Sequence, residues 1–159
     1  MGGETGFDTQ ETKLPTYWKT PFFKICLGMK IPGEETTNFI TISQAADSLY
    51  SLIANGQFRA ISMGRDTWKT LLGTQSSLQY NCNREGFNAV SDDPDMAKAR
   101  IGFLANNGED ECATCDSRLG FGTGGIHDDS NTCGNEVIGN AQPDNGEKHI
   151  KAIGYILIQ

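Results

Sequence analysis

No stretch of this sequence approaches the roughly 18 consecutive apolar residues that a membrane-crossing helix needs, so no membrane insertion is expected. The opening residues, Met1-Gly2-Gly3-Glu4-Thr5, lack the basic and apolar regions of a secretion signal. That leaves a cytosolic protein or a processed piece of a secreted one. Basic residues are scarce, 13 Lys and Arg against 20 Asp and Glu, for a formal charge of −7. Nucleic acids and anionic membranes need a basic surface, so no nucleic-acid partner is expected. There is no Gly-x-Ser-x-Gly elbow, and no nucleophile–base pair stands out, so the chain is not expected to be an enzyme. Hydrophobic residues make up 37% of 159 positions, enough for one core and too many for a disordered chain. A single domain over residues 1–159 is expected.

What is present is negative charge in one place. Residues 91–147 hold twelve acids and only three bases, Lys98, Arg100 and Arg118. The remainder of the chain is slightly basic. The same region is rich in Gly and Asn. Solvated loops and a cation site are both consistent with that pattern.

Five cysteines occur, Cys26, Cys82, Cys112, Cys115 and Cys133, three of them within 22 residues of weakly apolar sequence. Such a segment needs a covalent or metal staple to hold a shape. Disulfides, and hence an extracellular origin, are the leading reading, with one thiol left over because five is odd. Cys26, inside Phe22-Phe23-Lys24-Ile25-Cys26-Leu27, is the expected buried thiol. Two alternatives stay open. Cys112-Ala113-Thr114-Cys115 has redox spacing, but Glu109, Asp110, Glu111 and Asp116 would raise its thiol pKa. Cys112, Cys115, His127 and Cys133 have the ligand types of a zinc site, at irregular spacing.

Along the chain, residues 22–31 read as a strand. Thr41 and Gln44 form a capping-box pattern ahead of Ala45, Leu49, Leu52 and Ile53, which share one helical face up to Gly56. Residues 57–63 read as a strand and 65–72 as a short helix carrying Trp68, Leu71 and Leu72 inward. Residues 99–105 read as a strand. Residues 106–146 show almost no period and read as loop, unusually long for a compact domain and therefore a candidate functional region. Residues 149–159 are apolar on both faces and predict a strand inside a sheet. The fold class expected is α+β, loop-rich, with a small mixed or antiparallel sheet and short helices.

Gly120, Gly122 and Gly125 match a dinucleotide-loop spacing, but no strand–helix context surrounds them, so they are read as tight backbone turns. Asp116, His127, Asp128, Asp129 and Asn135 lie within 20 residues, bracketed by Cys115 and Cys133. Calcium takes six to eight oxygens from carboxylates, amides and backbone carbonyls in irregular loops. These five residues are the expected metal ligands and Ca2+ the expected cofactor. His149, at the start of the last strand, is read as structural.

Tyr80–Phe87, Ala99–Asn107, Cys115-Asp116, Gly120–Gly125, Asp129–Asn135 and the closing Asp144–Gln159 carry a resemblance. Together they resemble the C-terminal part of a fibrinogen-related domain, nearer to intelectins than to fibrinogen and similar to secreted fibrinogen-like proteins of cnidarians. The likeness covers most of the chain, weakly before residue 75, and the Gly-Gly-Trp-Thr-Leu start usual for such domains is absent. It implies a fibrinogen C-terminal-like fold whose N-terminal part is missing, and secretion. It also implies calcium-dependent binding of glycans with vicinal diols. On this likeness Asn107 touches the sugar, Asp116 and Asn135 lie at the metal, and His127, Asp128 or Asp129 takes the place of the family's metal-site Glu. Glu136 is counted with Asn107 among the ligand-binding residues. The likeness pairs Cys82 with Cys115, and Cys112 with Cys133 is the remaining short-range option, leaving Cys26 free. The other class of function considered is an extracellular structural or matrix protein that self-assembles as a homo-oligomer or binds mineral through its acidic loops.

Overall fold

A computed structural model describes residues 12–108, 112–126, 128–138 and 142–159. A short helix, α1 (Thr16–Lys19), precedes strands β1 (Phe22–Lys30) and β2 (Asn38–Ala46). Helix α2 (Leu49–Ile53), strand β3 (Arg59–Ala60) and helix α3 (Arg65–Lys69) follow. The rest is strand: β4 (Asn81–Val90), β5 (Lys98–Asn106), β6 (Ser117–Gly124), β7 (Cys133–Val137), β8 (Lys148–Lys151) and β9 (Ile153–Ile158). The chain is thus a sheet-rich α+β domain with few, short helices. Strands β3 to β8 form a six-stranded meander in chain order, and β2-β1-β9 form a second sheet. Every described strand pair is antiparallel.

Both sheets line one core. Ile25, Leu27 and Met29 of β1 and Ile40 and Ile42 of β2 meet Phe87, Ile101, Phe103, Leu119 and Phe121 of the meander. Leu49, Leu52, Trp68, Leu71, Leu72 and Leu78 close its sides. Trp68 is fully buried, and its indole N–H donates to Glu85 at 2.7 Å, which removes the cost of burying that donor.

Three sequence expectations change. The helix begins later than Thr41: Thr41 and Gln44 lie in β2, and Ser48 is the N-cap, exchanging hydrogen bonds with Ser51 in a capping box of its own. Pairing with β1 from Asn38 to Ala46 outweighs the local capping signal. Residues 106–146 are not one loop, because β6 and β7 lie within them. Their period is hidden by a row of glycines, Gly86–Gly102–Gly120–Gly134, that pair directly across four strands. A Cβ at Gly120 would stand 2.4 Å from the Ile101 carbonyl oxygen, so this side of the sheet coils too tightly for side chains. Finally, the last strand is split at Ala152. β8 completes the meander, and β9 crosses to become an edge strand beside β1, half-exposed rather than covered on both faces.

Candidate functional site

The cysteines assemble differently from the expected pairing. Cys82 is bonded to Cys112. Cys115 and Cys133 are free, as is Cys26, which is half-buried rather than buried. The reason lies in the meander. A bulge in β4 puts Cys82 and Asn83 at positive φ, 68° and 56°, and turns the Cys82 side chain onto the 112–115 turn. Cys133 instead starts β7 and packs against the main core, out of reach of Cys112, and burial there pushes its thiol pKa up to about 12.

The expected calcium ligands are separately engaged. Asn135 is fully buried. Its Oδ1 accepts from the Ser77 N–H at 2.7 Å, and its Nδ2 donates to the Ser77 and Arg118 carbonyls, both at 2.9 Å. The Asp116 carboxylate accepts from Gln79 Nε2 at 3.3 Å. Asp128 accepts from the Ser130 N–H at 2.9 Å and from the Ser130 hydroxyl, which holds its pKa below the usual carboxylate value. Asp129 accepts from the Gly125 N–H at 2.8 Å. His127 lies outside the described residues. Among the described residues, the one group of three or more His, Cys, Asp or Glu ligand atoms that converge is Cys82, Cys112 and Cys115. Among the described residues, Asp116, Asp128 and Asp129 do not converge on one another.

A buried cation organises this region from within the protein. Arg118, on β6, is fully buried, and its guanidinium donates to the Ile126 carbonyl at 2.7 Å and to the Asp128 carbonyl. Directly opposite it on β7 stands Glu136, 1% exposed. Burial lowers the Arg118 pKa, and Glu136, Asp128 and Asp129 act in the other direction. The loop after β6 is thus shaped by a side chain of its own sheet.

Glu136 is closed to a ligand by the same packing. Its carboxylate accepts from Asn131 Nδ2 at 3.3 Å and meets His149 Nδ1. His149 Nε2 reaches Glu147 at 2.9 Å. The Glu147 contact raises the His149 pKa; partial burial lowers it, and Glu136 raises it again. A histidine whose folded pKa exceeds its unfolded value, about 6.5, stabilises fully below that value. The stability is lost as pH rises through the folded pKa. Melting temperatures measured from pH 5 to pH 9 should fall across the window above about 6.5 in the native protein, and less in His149→Gln. Identical profiles would remove His149 from this role.

Asn107 follows β5 directly and is exposed. Its N–H donates to Asn106 Oδ1 at 2.8 Å and its carbonyl accepts from Asn81 Nδ2 at 3.0 Å, so its backbone turns the chain at the strand end.

An open cleft of about 340 Å³ is lined by Asp95, Lys98, Gly125, Ile126 and Asp129. It lies between the β4–β5 turn and the β6–β7 turn, which the Ile126 N–H links through the Asp95 carbonyl at 3.1 Å. Gly125, at φ 92°, has no room for a side chain, since a Cβ would stand 1.9 Å from the Met96 carbonyl oxygen. Asp129 was among the expected site residues. Asp95 and Lys98 were not, because they lie some 30 residues earlier in sequence and only strand pairing brings them there. The signal available was the turn sequence Asp92-Asp93-Pro94-Asp95 between two strands, which predicts a tight connection.

No protein-family model matches this chain, and neither a curated protein nor a solved structure matches it.

Proposed function

We propose that this domain is a secreted, lectin-like module that recognises glycan hydroxyl groups at the cleft of Asp95, Lys98, Gly125, Ile126 and Asp129. The observation that supports it is the chemistry of that lining: two acids, one ammonium and an exposed aliphatic side chain around an open space. Carboxylates accept from hydroxyls, a lysine donates to their lone pairs, and Ile126 offers apolar surface to the C–H face of a sugar ring. The Cys82–Cys112 bond favours an oxidising compartment. The likeness to fibrinogen-related, intelectin-like domains points the same way. Asp116, Asp128, Asp129 and Asn135 each have hydrogen-bond partners within the protein, so in this reading the hydroxyls are held directly by side chains. Calcium dependence and the part of Asn107 are tested alongside.

A glycan array in calcium and again in chelator, with native protein and Asp129→Asn, tests the proposal. Asn keeps an acceptor for the Gly125 N–H but loses the charge. Loss of a charged hydrogen bond, about 1.5–3 kcal/mol, should weaken glycan binding at least roughly tenfold. Binding that chelator abolishes assigns the contact to calcium. No binding to any glycan, with concentration-dependent assembly, sinks the lectin reading in favour of a structural or matrix protein. One observation favours that second reading: the outer face of the β2-β1-β9 sheet exposes Phe23 at 76%, Phe39 at 51% and Leu157 at 52%.

A further inference from the structure

We propose that Cys82, Cys112 and Cys115 form an internal thiol–disulfide exchange site, in which the Cys115 sulfur attacks Cys82 and displaces Cys112. The inference is independent of glycan binding. All three sulfurs lie within 4.8 Å of one another, and Cys115 Sγ stands 3.4 Å from Cys82 Sγ, in contact with the bonded pair.

The protein holds the three in place without help from the bond. The Ser91 hydroxyl donates toward the Cys112 and Ala113 carbonyls, at 3.0 and 2.9 Å, and accepts from the Cys115 N–H at 3.0 Å. The Asp92 N–H donates to the Cys112 carbonyl, that of Asp93 to the Ala113 carbonyl and that of Ala97 to the Cys115 carbonyl. The 112–115 turn is therefore laced to the β4–β5 connection at both of its cysteines. Ala89, Ala97, Ala99 and Leu104 pack around the sulfurs as a small second core. Cys82 arrives from the β4 bulge. Its sulfur thus faces those of both cysteines of the turn.

The step is balanced within the chain. Cys115 loses its proton, its thiolate forms a bond to Cys82 Sγ, and the Cys82–Cys112 bond breaks. Cys112 leaves as the thiolate and takes up a proton. No oxidant or reductant is consumed. Burial pushes the Cys115 thiol up to about 11, so only about one molecule in 10⁴ carries the thiolate at pH 7. Exchange is consequently slow at neutral pH and strongly base-accelerated. Its product differs in access: the free thiol moves from Cys115, 0% exposed, to Cys112, 8% exposed.

Native protein is incubated without added thiol at pH 7, 8 and 9, quenched in acid, denatured, labelled with maleimide at acid pH and mapped by mass spectrometry. Label on Cys112 should grow with time, its initial rate rising roughly tenfold per pH unit as the thiolate fraction does. In Cys115→Ser the Cys112 label should vanish. Persistence of that label would assign the exchange to another thiol and overturn the proposal. So would a native protein in which Cys115 is labelled and Cys112 never is. Cys112→Ser supplies a second reading. Oxidised in air, it should form the Cys82–Cys115 bond, and a folded variant with both thiols free would also overturn the proposal.

Discussion

Arg118→Met should destabilise the domain by about 3–5 kcal/mol, read as the shift in a urea unfolding curve. Methionine nearly fills the space, so the effect is one of charge and hydrogen bonding rather than of a cavity. The guanidinium is fully buried between its strand partners Leu104 and Glu136. Without it, the Ile126 and Asp128 carbonyls lose their donor, and the buried Glu136 carboxylate loses the guanidinium of its strand partner and keeps only Asn131 and His149. Removing one member of a buried charged pair costs more than replacing both. Arg118→Met combined with Glu136→Gln should therefore recover part of the loss, and the double-mutant cycle measures how much. A single variant that loses under about 1 kcal/mol would mean that the loop after β6 is held by something else. Ile126 and Asp129 line the cleft, so under the lectin proposal any glycan binding there should weaken along with stability in the single variant.

The sheet-rich half of this fold was legible where hydrophobic periods were uninterrupted. The sequence predicts a strand over residues 22–31, and β1 runs Phe22–Lys30; it predicts another over 99–105, and β5 runs Lys98–Asn106. The sequence predicts a helix over 65–72; α3 stops at Lys69, and Leu71 and Leu72 in the turn after it are buried with Trp68. The period failed over β6 and β7, where Gly120, Gly122, Gly124 and Gly134 stand in positions that side chains would mark. Their reason is non-local: each Gly of the cross-strand row faces the backbone of a neighbouring strand, which a linear reading does not contain. The last strand misled in the opposite sense. Its two apolar faces suggested a central position, yet β9 sits at a sheet edge and exposes Leu157. At the candidate site, sequence proximity gathered Asp116, Asp128, Asp129 and Asn135 into one cluster. Only Asn135 lies on a strand, β7, and it enters the core beside Ser77; Asp128 and Asp129 lie on the β6–β7 turn, and Asp116, just before β6, reaches Gln79. The cysteine motif was visible in full, but its partner was decided by a bulge at Cys82 that nothing local announces.

Asn135→Ala carries the second large effect, and it separates two roles for one residue. As a calcium ligand, Asn135 would matter only when the ion is bound. As placed, its side chain completes the backbone of a buried segment: Ser77, 0% exposed, has both its N–H and its carbonyl bonded to the Asn135 amide, and the Arg118 carbonyl is bonded to it as well. Alanine leaves these groups without that partner in a place water does not reach. Each unsatisfied buried group costs about 1–3 kcal/mol, so the variant should lose about 3–5 kcal/mol in all. For a domain of this size that is a fall in Tm of roughly 10–15 °C. The fall should be the same in millimolar calcium and in chelator, because the lost bonds are all within the chain. If instead calcium raises the Tm of the native protein but not that of Asn135→Ala, the amide is engaged by the ion and the buried hydrogen bonds described here are not what the residue is for. Asp144 supplies an internal control. Its carboxylate accepts from the neighbouring Leu78 N–H at 3.0 Å and pairs with Lys69 at 2.7 Å, so Asp144→Asn should loosen the same segment from its outer side. Being closer to solvent, that change should cost less than the loss of Asn135, and the order of the two shows whether the segment is anchored from the core or from the surface.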